Sequence, residues 1–187
     1  GSYEASDSEA VASAVALVKS GASSVKLEGG VAAAPRIAAI VRAGIPVVAH
    51  IGVLPQTAAM GDGYRRKNDG AALLADARAV EHAGAFAVVL EMVEASLAGE
   101  ITQAVGIPTI GIGSGATCDA QVLVMHDALG LYPGAPPFAK RFGEIATAAT
   151  TALGRYASDV RDGTFPAAPA SAVAASDDAP PVYPSVR

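Results

Sequence analysis

Several short apolar runs in this sequence contain, or are directly followed by, a charged or hydroxyl side chain. These side chains are Lys26, Glu28, His50, Glu91 and Ser114. The runs have the β-branched and aliphatic composition of buried strands. Because the carboxyl ends of parallel strands meet at one edge of a sheet, we expect these side chains to converge there. The alternative for each of them is an ordinary solvated residue at a strand end.

Lys26 and Glu28 are two residues apart, and residues two apart in a strand point to the same face, so their side chains can act on one ligand. A lysine beside a carboxylate suits an acidic substrate bound next to a hard cation. The alternative is a structural ion pair between the two side chains.

Glu91 follows the uncharged segment 83–90 and is expected to leave a largely apolar strand. Burial raises the pKa of a carboxyl group towards neutrality, which suits a general base. A carboxylate at this place could instead cap the next helix. For His50, inside a strand run that Gly52 and Pro55 follow, we expect a neutral core histidine bonded to a backbone carbonyl.

Three other segments carry weaker chemical signals. The GIGSG run at 111–115 lacks the spacing and the lysine of a phosphate-binding loop, so it predicts tight strand-to-loop packing. Cys118 has no base near it in sequence, which disfavours a catalytic thiol. The basic cluster 65–67 predicts a solvated turn or, less specifically, an anion contact.

The elements that would position these residues repeat a simple unit, in which a helical segment ends at a glycine and an apolar run follows. The runs are residues 25–30, 45–52, 87–91 and 107–115, with a weaker fifth run over 122–127. The intervening segment 71–83 has helical spacing of its apolar residues. Strands that alternate with helices predict an α/β protein with a parallel sheet.

The spacing of the units limits their number. A (β/α)₈ barrel of about 250 residues uses about 31 residues per unit, so residues 1–165 suit about five units. The periodicity therefore predicts either an open sheet or an incomplete barrel. The tail, residues 166–187, is rich in alanine and proline, and we expect it to be disordered.

Composition excludes several classes of protein. Of the 187 residues 51% are hydrophobic, and 13 basic against 18 acidic residues give a net charge of −5, which favours neither a nucleic-acid nor an anionic-membrane partner. A single cysteine excludes an intrachain disulfide framework. No apolar window is long enough for a transmembrane helix, and the first residues do not resemble a signal peptide. We therefore expect a cytoplasmic protein.

Six segments, taken together, resemble one known family. They are VKLEGG at 25–30, PVVAHIG at 46–52 with Pro55-Gln56, VVLEMV at 88–93, PTIGIGSG at 108–115, CD with QVLVMHD at 118–127, and FAKRF at 138–142. In this order the segments resemble the 3-methyl-2-oxobutanoate hydroxymethyltransferase (ketopantoate hydroxymethyltransferase) family, and the resemblance extends to about residue 166.

The resemblance implies a (β/α)₈ TIM barrel, usually a homo-oligomer, that acts on a small 2-oxo acid with a folate. The family transfers a hydroxymethyl group from 5,10-methylenetetrahydrofolate to 3-methyl-2-oxobutanoate, giving 2-dehydropantoate for pantothenate biosynthesis, with Mg²⁺ stabilising an enolate. By resemblance, Glu91 is the proton acceptor, Lys26 binds the substrate and Glu28 is a carboxylate of the metal site.

The resemblance also implies missing parts. Relatives carry earlier strands that supply two aspartates of the metal site and a serine that holds the substrate. We therefore expect an incomplete TIM barrel with about the last five β/α units. The loop 60–68 and the tail depart from the family pattern. Two alternatives remain open: a related 2-oxo-acid carbon–carbon lyase, which would not need folate, and a non-catalytic barrel fragment.

Overall fold

The computed structural model describes residues 2–60 and 63–167. The helices are α1 Asp7–Lys19, α2 Ala34–Arg42, α3 Gly70–His82, α4 Ala95–Ala104, α5 Met125–Leu129 and α6 Ile145–Arg161, with a 3-10 turn at Ala58–Met60. The strands are β1 Val25–Glu28, β2 Val47–Gly52, β3 Ala87–Glu91, β4 Thr109–Ile112 and β5 Ala120–Gln121. The chain divides into two compact units, Gly1–Val124 and Met125–Arg187. Most of the tail predicted to be disordered, from residue 168 on, lies outside the described residues.

All five strands belong to one parallel sheet in the order β1-β2-β3-β4-β5. Sequential parallel strands that alternate with helices are the arrangement of a (β/α)₈ barrel, and residues 2–60 and 63–167 contain five of its eight strands. The register places Glu28 opposite His50 and Gly52 opposite Glu91. The predicted α/β class and incomplete TIM-barrel type are confirmed.

The core of the first unit lies between the sheet and helices α2, α3 and α4. Strand β3 has four buried apolar residues before Glu91, as expected for a parallel strand covered on both faces. From the helices, Ile37, Val80 and Ile101 are fully buried against it. These apolar stripes, at helical spacing, make the helices pack on the sheet and hold the strand ends in place.

The helix boundaries follow local chemistry. Side-chain oxygens of Ser6 and Asp69 accept backbone N–H groups at the starts of α1 and α3. Shortly after the last residues of α2 and α3, Gly44 and Gly84 have φ values of 84° and 93°, the left-handed conformation that ends a helix before a strand. The predicted link from helix through glycine to strand is confirmed at these positions, and α3 confirms the helix predicted over 71–83.

The prediction of a fifth strand over residues 122–127 is wrong. The strand lies earlier, at Ala120–Gln121, and residues Met125–Leu129 form helix α5 instead. The apolar run misleads because Val122, Val124 and Met125 are exposed and so contribute no buried strand face. Only two residue pairs join β5 to β4.

The second unit contains α5 and α6. In it the buried Asp127 accepts a hydrogen bond from the Tyr132 hydroxyl, which raises the pKa of Tyr132. Arg141 donates to the carbonyl oxygens of Tyr132 and Pro133 at 3.0 and 2.9 Å. Within residues 2–60 and 63–167, no helix is both long enough and apolar enough to cross a membrane.

Candidate active site

Four side chains meet at the carboxyl ends of β1, β2 and β3, and we call them the charged cluster: Lys26, Glu28, His50 and Glu91. Lys26 Nζ lies 2.9 Å from His50 Nδ1. Glu28 Oε1 lies 3.6 Å from Lys26 Nζ and 3.5 Å from His50 Nδ1. On the other side of the ring, His50 Nε2 lies 3.2 Å from Glu91 Oε2. The histidine therefore stands between the two carboxylates.

Burial in the charged cluster is graded. The His50 side chain is 2% exposed, Glu28 8%, Glu91 14% and Lys26 49%. A carboxylate in such a place is costly unless a cation or a donor lies beside it. Lysine and histidine provide those neighbours, and the half-exposed lysine leaves the cluster accessible from solvent.

Backbone geometry brings the members together. The spacing of two puts Lys26 and Glu28 on one face of β1, and the register sets Glu28 beside His50. Across from Glu91 stands Gly52, with φ at 95°. A Cβ there would lie 2.3 Å from the Glu91 carbonyl oxygen, so only glycine permits the two strands to approach this closely.

Glu28 has further partners that sequence reasoning missed. Its Oε2 accepts the backbone N–H of Gln56 at 3.0 Å. The Tyr3 hydroxyl accepts the Glu28 N–H at 3.2 Å and donates to Gln56 Oε1 at 2.6 Å. Burial raises the pKa of Tyr3, and the negative charge of Glu28 acts in the same direction. The sequence signal was the Pro55-Gln56 pair, which belongs to a family-like segment but suggests no role.

The turn that follows Glu91 at the end of β3 is held by backbone hydrogen bonds to one buried side chain. Met92 adopts a φ of 49°, uncommon for a non-glycine residue. Ser114 bridges this turn, since its buried hydroxyl accepts the Val93 N–H at 3.0 Å and donates to the Leu90 carbonyl at 2.7 Å. Ser114 therefore lies at the expected edge of the sheet, but its partners are backbone groups.

Arg66 belongs to the same turn. Its Nη1 donates to the carbonyl oxygens of Val93 and Gly113, each at 2.8 Å. Arg66 is exposed, as expected for the solvated segment 65–67, and its guanidinium in addition joins the loops that follow β3 and β4. Nothing in the spacing of the basic residues distinguishes this arginine from its neighbour Arg65.

Two other expectations are corrected. His50 is a core histidine, as predicted, but its ring contacts Lys26 and not a backbone carbonyl, since strand register puts the lysine 2.9 Å away. The helix-cap alternative for Glu91 is wrong because Glu94 caps α4, accepting the N–H groups of Ser96 and Leu97.

The glycine run and the cysteine fit the packing interpretation. A Cβ on Gly111 would lie 2.9 Å from Gln121 Nε2 and 3.0 Å from Cys118 Sγ, so the predicted tight packing is confirmed. Burial raises the pKa of Cys118, which keeps it a thiol at neutral pH.

Comparison of the sequence with known protein families identifies the family of this chain. A family model described as ketopantoate hydroxymethyltransferase matches residues 1–168. The chain belongs to the ketopantoate hydroxymethyltransferase family. The predicted family is therefore confirmed, and the charged cluster is the candidate active site of a family member.

Curated relatives in this family are named 3-methyl-2-oxobutanoate hydroxymethyltransferase. The one from Ignicoccus hospitalis is 50% identical over 89% of this chain and 65% of its own length. The one from Rhodococcus jostii is 52% identical over 89% of this chain and 60% of its own length. The chain thus spans somewhat less than two thirds of these relatives.

A solved structure supports the fold alone. A putative phosphonomutase from Burkholderia cenocepacia aligns with a TM-score of 0.51 and 18% identity, over 87% of this chain and 66% of that protein. Similarity at this level of identity supports the fold and carries no information on chemistry.

The metal-binding side chains of the described residues are not by themselves a site for a Mg²⁺ ion. No group of three His, Cys, Asp or Glu side chains within the described residues could hold a metal. Glu28 is the candidate carboxylate, and both of its oxygens already have partners. Mg²⁺ prefers octahedral oxygen coordination, so a complete site needs oxygen ligands from outside the described residues.

Proposed function

We propose that this chain carries the proton-abstracting part of an enzyme that transfers a hydroxymethyl group from 5,10-methylenetetrahydrofolate to 3-methyl-2-oxobutanoate, giving 2-dehydropantoate in pantothenate biosynthesis. The observation that carries the proposal is the meeting of Lys26, Glu28 and Glu91 around one buried histidine at the carboxyl ends of three strands. In parallel α/β folds this end of the sheet is where substrates bind. Family membership supplies the substrate class.

Glu91 is the base in this proposal. The carboxylate takes the proton from C3 of the 2-oxo acid, and the electrons of the broken C–H bond move into the enolate. Water cleaves the two carbon–nitrogen bonds of the folate's methylene carbon, so that its oxygen stays on that carbon as formaldehyde and its two hydrogens leave on the nitrogens of tetrahydrofolate. The enolate carbon adds to the formaldehyde carbon, and the resulting alkoxide takes the proton back from Glu91 to become the hydroxyl group. General-base catalysis contributes about 10²–10⁴-fold to such a step.

Lys26 binds the substrate carboxylate. Its ammonium group is half exposed and has three N–H donors, of which the contact with His50 uses one. The remaining donors can face the acidic end of a small 2-oxo acid. Since this contact is made in the ground state and the transition state alike, it contributes to binding more than to the rate of the bound complex.

Glu28 and Mg²⁺ are assigned together. We assign Glu28 as one ligand of a Mg²⁺ ion whose other ligands lie outside the described residues. Magnesium bound there would supply positive charge next to the 2-oxo acid. The chain's own contribution at this point is a carboxylate held in place by the Gln56 N–H. A homo-oligomeric state and a cytoplasmic location remain predictions.

The test follows the C3 proton separately from the folate. In a version extended to the family's full length, 3-methyl-2-oxobutanoate is incubated in deuterated water without folate, and NMR measures exchange at C3. We expect exchange above the rate in buffer, and formation of 2-dehydropantoate once 5,10-methylenetetrahydrofolate is added. Exchange without product in the presence of the folate would favour the lyase alternative. Absence of both would contradict the proposal and favour a non-catalytic fragment.

A further inference from the structure

We propose that Lys26 fixes His50 as the tautomer protonated on Nε2, and that His50 then orients the Glu91 carboxylate by a hydrogen bond to one oxygen. His50 is thus a positioning residue that acts through Glu91. The inference about the tautomer depends only on the geometry, and its consequence for catalysis rests on the function proposed above.

The first step concerns the contact between Lys26 and the ring. An ammonium group has three donors and no acceptor, so the 2.9 Å contact with Nδ1 requires a lone pair on that nitrogen. A neutral imidazole with a lone pair on Nδ1 carries its proton on Nε2. The lysine therefore selects one of the two neutral forms.

Glu28 also lies near Nδ1 and would favour the other neutral tautomer of His50. Its Oε1 lies 3.5 Å from His50 Nδ1 and would favour a proton on that nitrogen. This separation is longer than an N–H···O hydrogen bond, whereas the lysine is at hydrogen-bond distance. The closer group decides while Lys26 is present. Without the lysine, Glu28 would become the partner of Nδ1.

The second step concerns the other side of the ring. Nε2 is buried and has no aligned hydrogen-bond partner within the described residues, although Glu91 Oε2 lies 3.2 Å away. A buried donor without a partner is costly, and a carboxylate is an acceptor. The terminal torsion of glutamate has a broad energy minimum, so the Glu91 carboxylate can turn to accept the Nε2–H at this distance.

As a consequence, the Glu91 carboxylate is oriented before the substrate binds. With Oε2 bonded to His50, Oε1 is left as the oxygen of Glu91 that takes the proton. A carboxylate held in one orientation loses less freedom when the substrate binds than one that must be ordered at that moment. Lys26 would thus influence Glu91 through the ring as well as binding substrate directly.

The direct test is nitrogen-15 NMR of the histidine ring in the 187-residue chain, without substrate. The His50 signals are identified by their loss in His50→Gln, and Lys19→Met on α1 is the control for loss of a lysine. We expect the Nε2–H form in the wild type and in Lys19→Met. In Lys26→Met we expect the Nδ1–H form, because Glu28 then accepts from Nδ1. An Nδ1–H ring in the wild type, or an unchanged Nε2–H ring in a folded Lys26→Met protein, would overturn the assignment.

The second test compares two amide substitutions in the version of full family length. Glutamine places an amide nitrogen near the position of Nε2, whereas asparagine places one near Nδ1 and leaves no donor towards Glu91. We expect His50→Gln to retain faster C3 exchange than His50→Asn, because its amide can still donate towards Glu91. For His50→Asn we expect kcat to fall about 10-fold with little change in KM, the effect of one lost hydrogen bond to a charged group.

The two tests separate the failure of this inference from failure of the proposed function. Equal exchange rates for His50→Gln and His50→Asn would overturn the positioning role. If Glu91→Gln retains wild-type exchange, the proposed base is wrong, while the ring NMR still decides the tautomer. The NMR measurement involves neither folate nor turnover.

Discussion

Two polar clusters lie at opposite ends of the same sheet, and their hydrogen bonding differs. At the amino-terminal end of β4, Thr102, Thr109 and Asp119 form what we call the threonine cluster. Asp119 Oδ2 accepts the N–H and the hydroxyl of Thr109 at 2.8 and 2.9 Å, and the two threonine hydroxyls lie 2.9 Å apart. Thr102 also donates to the Ala98 carbonyl at 2.8 Å. These short contacts join β4, α4 and the segment before β5.

The charged cluster at the carboxyl ends has looser contacts. Between its four members, the closest contact apart from the 2.9 Å lysine–histidine bond is 3.2 Å, and one buried ring nitrogen has no aligned partner in the part of the chain that the structure describes. Unpaired buried polar atoms cost free energy, so a fold retains them where another role requires them. The difference indicates that the threonine cluster stabilises the sheet and the charged cluster serves chemistry. In barrels, the two ends have this division of roles.

The largest effect is expected when the proposed base is removed. Glu91→Gln keeps the size of the side chain and loses the proton acceptor. We expect C3 exchange in deuterated water to fall by about 10²–10⁴-fold, with little change in the melting temperature. Glu100→Gln, an exposed glutamate on α4, is the matched control and should exchange at the wild-type rate. If Glu91→Gln exchanges normally, the base lies elsewhere and His50 is the next residue to test.

Loss of the lysine should affect binding more than the rate. For Lys26→Ala we expect KM for 3-methyl-2-oxobutanoate to rise about 10- to 100-fold, as for a lost charge-assisted hydrogen bond. The fall in kcat should be smaller, because the substrate carboxylate carries its charge throughout the reaction. Lys19→Ala on α1 provides the control. A large fall in kcat at unchanged KM would contradict the binding role.

Much of the fold could be predicted because the signals are local. Four of the strands and helix α3 follow from apolar periodicity and from glycines at the helix ends. The convergence of Lys26, Glu28 and Glu91 follows from the rule that parallel strands end at one edge. The prediction for residues 122–127 is wrong because an apolar run does not show whether its side chains become buried.

The partners within the candidate site could not be predicted, because they depend on register between segments far apart in sequence. Tyr3 and Gln56 approach Glu28 from positions 25 and 28 residues away, and Arg66 reaches a carbonyl 47 residues away. The ring contacts of His50 likewise depend on the pairing of β1 with β2. No local pattern contains that information.

In the threonine cluster, a substitution should affect stability and not exchange. Thr109→Val removes the hydroxyl from a fully buried site and leaves Thr102 and Asp119 each with one partner fewer. We expect the free energy of unfolding to fall by about 0.5–1.5 kcal/mol, the net contribution of an ordinary hydrogen bond, because Thr102 is half-buried and Asp119 is exposed, so that water can partly replace the lost partner. Denaturant unfolding measures it. If Thr109→Val instead slows C3 exchange without loss of stability, the division between the two clusters is wrong.

The smallest effect is expected from the pH dependence of the same cluster. Hydrogen bonds from the Thr109 N–H and hydroxyl hold the pKa of Asp119 below its ordinary value of about 3.9. Between the two pKa values the unfolded chain binds more protons than the folded one, so this contribution to stability is present above about pH 4 and is lost as the pH falls through the folded pKa.

The measurement compares the wild type with Asp119→Asn by denaturant unfolding from about pH 6 down to about pH 2, which subtracts the titration of all other carboxylates. The wild type should be the more stable at the upper end, because the ionised carboxylate accepts both Thr109 donors better than a neutral amide does. The difference should shrink towards the acid end, where the wild-type carboxyl is also neutral. A difference that stays constant across this range would show that the charge of Asp119 contributes nothing, and the threonine cluster would then be held together by neutral hydrogen bonds alone.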